Sequence, residues 1–82
     1  MVKIEVLGSG CANCQKLEAV TKEAVADLAI TDAEVVKVTD MKAIMGYGVM
    51  STPGLVIDGT VVSSGRVPSK AEVTTFITSA MA

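Results

Sequence analysis

The sequence predicts an α/β fold in the order β-α-β-α-β-β-α, with one mixed four-stranded sheet and helices on both of its faces. Three observations carry that reading: short alternating or β-branched runs separated by longer helical repeats, an Asp-Gly pair between two strand-like triplets, and a capping sequence that opens a final helix. The 82 residues are expected to form a single domain spanning 1–82. Half of them are apolar, but Trp is absent and Tyr47 and Phe76 are the only aromatics, so the core is expected to be aliphatic.

Val2, Ile4 and Val6 alternate with Lys3 and Glu5, the period of a half-buried strand, and Gly8 and Gly10 stop it. Leu17, Val20, Thr21, Ala24, Val25 and Leu28 then recur at helical spacing, which predicts a helix from about residue 12 to 29. Glu34 to Val38 is short and β-branched, and the helix before it makes it a parallel partner of the first strand. Asp40 caps a brief helix with Met41, Ile44 and Met45 as its apolar residues, ended by Gly46 and Gly48.

Leu55-Val56-Ile57, Asp58-Gly59 and Thr60-Val61-Val62 form a strong hairpin signal, because Asp-Gly accepts the positive φ angles of a tight turn. After Pro68, Ser69 and Glu72 stand at capping-box spacing and open a helix expected to bury Val73, Phe76, Ile77 and Ala80. Met41, Met45, Met50 and Met81 are expected to fill core gaps rather than bind copper.

A formal charge of −2 without a basic cluster argues against nucleic acid as a partner. No apolar run approaches the ~20 residues of a membrane span, and charges interrupt the first residues where a signal peptide would be continuous. A cytoplasmic protein with no membrane association is therefore expected, and a monomer is the expected state. Histidine is absent, which removes the usual general base and zinc ligand.

Both cysteines fall in Gly8-Ser9-Gly10-Cys11-Ala12-Asn13-Cys14. Helical positions i and i+3 have Cα atoms about 5 Å apart, inside the ~4.4 to 6.8 Å window of a disulfide. So short a loop restrains the unfolded chain little, which leaves the bond reactive rather than structural. At a helix N-terminus the unpaired amides favour an anion by ~0.3 to 1 kcal/mol and up to ~2, enough to move the Cys11 thiol from ~8.5 toward ~7.5. Cys14, one turn inside, suits the resolving role.

The first functional reading is thus a thiol–disulfide oxidoreductase. The alternative is a metallochaperone-like module holding Cu(I) between the same two thiolates. Domains that bind heavy metals also place Cys-x-x-Cys between a first strand and helix, but in the order βαββαβ. One chain supplies two thiols, so a four-cysteine zinc or iron–sulfur site would require two copies.

Gly8-x-Gly10-Cys11-Ala12-Asn13-Cys14-Gln15, Thr52-Pro53-Gly54-Leu55, Asp58-Gly59 and Gly65-Arg66-Val67-x-Ser69 together resemble the thioredoxin/glutaredoxin superfamily. The resemblance covers nearly the whole chain and is strongest to the small archaeal and bacterial redox-active disulfide proteins. It implies a thioredoxin-like, glutaredoxin-size three-layer fold, catalytic Cys11 and Cys14, and a cis Thr52–Pro53 bond lying against the disulfide. Glu5, six residues before Cys11, matches the buried acid of thioredoxins and is the implied proton acceptor for Cys14, although here it is Glu rather than Asp.

Thr52, through its backbone, and Ala12 and Asn13, between the cysteines, are the implied substrate-facing positions. The implied partners are protein disulfides and an electron donor like thioredoxin reductase, with no cofactor beyond the Cys11–Cys14 disulfide and no metal. Departures matter as well. Gly10 replaces the aromatic residue common before the first cysteine, and Ala12-Asn13 replaces Gly-Pro, so potential and partner choice do not transfer. Gly65-Arg66-Val67-Pro68 stands where glutaredoxins carry Gly-Gly-x-Asp, so glutathione is not expected as a co-substrate.

Overall fold

The computed structural model describes residues 2–8 and 12–81. The elements are β1 (Val2–Leu7), α1 (Ala12–Asp27), β2 (Ala33–Val38), α2 (Met41–Gly46), β3 (Gly54–Ile57), β4 (Thr60–Ser64) and α3 (Lys70–Met81). The order is the predicted one. The sheet runs β2-β1-β3-β4, with β1 parallel to β2 and antiparallel to β3, and β3 antiparallel to β4.

Alternation along β1 divides the core in two. Val2, Ile4 and Val6 pack with Leu17 and Ala24 of α1, Leu55 and Ile57 of β3, and Val73 and Ile77 of α3. Leu7 points the other way, joining Ile44 of α2, Val49 and Val56, with Tyr47 against them. Helices α1 and α3 therefore cover one face of the sheet and α2 the other. No helix among the described residues is long and apolar enough to cross a membrane.

The local signals act as their chemistry predicts. Asp58 and Gly59 both have positive φ, 49° and 83°, so the hairpin turn is of the type whose twist matches its strands. Asp58 also ties the turn to β1: its N–H donates to the Lys3 carbonyl at 2.8 Å, and the Lys3 N–H donates to Asp58 Oδ1 at 2.9 Å. At α3, the Glu72 N–H donates to Ser69 Oγ at 3.2 Å while Glu72 Oε1 accepts from the Ser69 N–H at 3.1 Å.

Arg66 closes this cap from outside, donating to both Glu72 oxygens at 3.2 and 2.7 Å. The guanidinium first, and the Ser69 N–H second, hold the Glu72 carboxyl down from 4.5 to about 2.

Helix α1 ends at Asp27, two residues before the predicted limit. Ala29 takes a left-handed φ of 54°, its N–H donating to the Ala26 carbonyl and that of Ile30 to the Val25 carbonyl. This is a Schellman stop with alanine where glycine is usual, closed by Ile30 and Val25 packing on the core. The periodicity runs through Leu28 because the stop carries no glycine to mark it.

The methionines correct the expected core. Met41, Met45, Met50 and Met81 are 58%, 68%, 98% and 53% exposed. A helix of six residues presents little more than one side chain inward, and in α2 that is Ile44. Ala80 is exposed as well: it lies with Phe76 beside Ile57 and Asp58, where the hairpin ends and offers little to cover it.

Candidate active site

Cys14 lies in the first turn of α1 and is buried, 5% exposed. Its thiol packs on Gly8, which leaves β1 directly below. A β-carbon at Gly8 would overlap Cys14 Sγ, approach Cys14 Cβ to 3.1 Å, and lie 3.9 Å from Thr52 Cβ. Glycine is needed there by close approach. Gly8 thus sits between the cysteine helix and the Thr52–Pro53 loop, bringing together segments distant in sequence.

The Thr52–Pro53 peptide bond is cis. Thr52 is exposed and Pro53 buried. The loop is held from the far side by Gly65, whose N–H donates to the Pro53 carbonyl at 2.8 Å. Gly65 has a φ of 75°, and a β-carbon there would come within 3.2 Å of Ser51 Cβ, so its place in the sequence motif reflects both backbone and space. Ala12 and Asn13 are exposed at the start of α1. Cys11, the predicted attacking thiol, lies outside the described residues, as do Ser9 and Gly10.

Glu5 is 8% exposed, and its two carboxylate oxygens share the Tyr47 hydroxyl, which donates to both at 2.8 Å. The hydrogen bond to Glu5, followed by burial and the carboxylate's charge, raises the Tyr47 pKa above its ordinary 10.0. Tyr47 follows α2, so this pair lies on the α2 side of the sheet. Cys14 belongs to the α1 side, beside Val6 and Gly8.

Sequence reasoning missed the partner of Glu5, because 42 residues separate it from Tyr47 and no spacing rule connects them. It also missed a cleft of about 530 Å³ beside Thr52, lined by Met41, Ile44, Met45, Gly48, Val49 and Met50. The methionine spacing carries a signal for this cleft, but an apolar helical period points equally to a core.

Known proteins are similar to this chain over most of its length. A family model described as "Thioredoxin domain" matches residues 2–78. A protein named "Thioredoxin" from Methanothermobacter thermautotrophicus is 48% identical over 73 residues, covering 89% of this chain and 94% of that one. A second protein of that name, from Methanocaldococcus jannaschii, is 42% identical over 73 residues, covering 89% of this chain and 83% of its own length.

Proposed function

This chain belongs to the thioredoxin domain family and is a thiol–disulfide oxidoreductase; from that premise we propose how its residues divide the reaction. Cys11 directly precedes the first residue of α1, where unpaired amides favour a thiolate. Its sulfur attacks one sulfur of a protein disulfide, the target's S–S bond breaks, and the departing sulfur leaves as thiolate. Cys14 then attacks the Cys11 sulfur of the mixed disulfide and releases the second target sulfur. The target gains two electrons and the Cys11–Cys14 pair becomes a disulfide.

The observation that carries this division is the burial of Cys14 on Gly8, next to the cis Thr52–Pro53 loop. A buried sulfur does not meet an external disulfide first, but it is suited to an intramolecular attack. Thr52, exposed beside the cleft of Met41, Met45 and Met50, with Ala12 and Asn13 across the turn, forms the surface on which an extended target segment lies. A donor resembling thioredoxin reductase restores the dithiol, and the reaction calls for no group beyond the two thiols. The cytoplasm, where thiols are kept reduced, suits such a cycle.

The element order supports this reading over a Cu(I) module, because α2 follows β2 where the βαββαβ order of heavy-metal domains requires a strand. Reduction of insulin disulfides in the presence of dithiothreitol tests it. Catalysis by the unaltered chain and its loss in Cys11→Ser are expected. Tight Cu(I) binding with no disulfide exchange would overturn it.

A further inference from the structure

Helix α1 and strand β2 enclose a crevice against Cys14, lined by Val6, Gly8, Gln15, Glu18 and Lys37 as well as the cysteine itself. Its free space of about 10 Å³ is close to that of a single water. Cys14 and Glu18 are four residues apart on α1 and so share one face of it. Lys37 is the register partner of Val6, which places it on the same side of the sheet.

The two charged side chains meet: Lys37 Nζ is 3.8 Å from Glu18 Oε1, while Lys22 Nζ reaches Glu18 Oε2 at 3.4 Å. The Glu18 side chain is 20% exposed. Its carboxylate is therefore held beside the crevice by cations from two elements.

A buried thiol resists ionisation, so the resolving step needs a proton acceptor within reach of Cys14. Glu5 is buried on the opposite side of the sheet, with both oxygens engaged by Tyr47. We infer that Glu18, positioned by Lys37, accepts the Cys14 proton through one water in this crevice. The inference rests on Cys14 being the resolving cysteine.

The step balances. The S–H proton of Cys14 passes by way of the water to the Glu18 carboxylate, and the Cys14 sulfur bonds to Cys11 Sγ. The Cys11–target S–S bond breaks, and its electron pair leaves on the target thiolate. Among the described residues, the charged groups lining the crevice are Glu18 of α1 and Lys37 of β2. From β1 comes Val6, with Gly8 just past the end of the strand. Helix α3, packed on α1, places its Lys70 against Asp27 at the other end of that helix.

The test follows reaction of the reduced protein with dithiobis(nitrobenzoate) over a range of pH. Attack by Cys11 releases one chromophoric thiolate in a bimolecular phase, and resolution by Cys14 releases a second in a unimolecular phase. Glu18→Gln is expected to slow the second phase roughly 10- to 100-fold, at or below the low end of a positioned general base, and to flatten its pH dependence. Glu18→Asp restores much of the rate.

A second readout is the pH midpoint of Cys14 alkylation in a Cys11→Ser background. It should fall in Glu18→Gln, because a neighbouring negative charge is gone, and rise in Lys37→Met. An easier thiolate combined with slower resolution is an outcome that a purely structural role does not produce. A second phase in Glu18→Gln equal to that of the unaltered chain, or slowing by Glu5→Gln alone, overturns the inference while leaving the dithiol reading intact. Absence of any second phase in the unaltered chain overturns both.

Discussion

The thiol of Cys14 packs directly on the α-carbon of Gly8, at a spacing that leaves no room for a β-carbon. Gly8→Ala forces the thiol or the strand end to move. Overpacking of this kind costs about 1 to 3 kcal/mol, to be read from urea unfolding of the reduced protein. Resolution of the mixed disulfide should slow in the same variant, because the displaced sulfur is the one proposed to attack.

Tyr47 and Glu5 make stability depend on alkaline pH. The folded-state pKa of Tyr47 is raised, mainly by its hydrogen bond to Glu5. Between its ordinary 10.0 and that higher value the folded chain holds a proton that the unfolded chain has lost. This contribution is therefore complete below pH 10 and disappears as pH rises through the folded value. Tyr47→Phe should lower the melting temperature at pH 7, and the gap to the unaltered chain should narrow above pH 10.

Glu72 works in the opposite direction at the acid end. Its carboxyl is lowered from 4.5 to about 2 by Arg66 and then by the Ser69 N–H. Its contribution is present above pH 4.5 and is lost as pH falls toward 2. Melting curves of Glu72→Gln and the unaltered chain should differ at neutral pH and converge near pH 2.

Ala29 stops α1 with a left-handed φ of 54°. A residue with a β-carbon is disfavoured there by about 1 to 2 kcal/mol, against roughly 0.4 to 1 kcal/mol of added unfolded-state entropy for glycine. Ala29→Gly should therefore raise unfolding stability by about 0.5 to 1 kcal/mol, measured by denaturant titration.

Much of the fold was legible because its signals are local. The alternation of Val2, Ile4 and Val6, the Asp58-Gly59 turn and the Ser69–Glu72 box each act within a few residues, and each stands where it was read. What escaped depends on distance or on length. The Tyr47–Glu5 bond joins elements that only tertiary packing brings together. Met41 and Met45 follow an apolar helical period, but α2 is too short to turn both inward, so they line a cleft beside Thr52. Likewise Gly8 reads as a strand stop from sequence, whereas its close approach to Cys14 and Thr52 becomes visible only in the fold.

In the proposed cycle the two cysteines form an asymmetric pair in which Cys11 attacks and the buried Cys14 resolves. The decisive experiment mixes reduced Cys14→Ser and Cys11→Ser variants with a protein disulfide and separates the products without reductant. Cys14→Ser is predicted to accumulate a covalent adduct through Cys11, while Cys11→Ser accumulates none. An adduct formed through Cys14, or none from either variant, would overturn this division of roles.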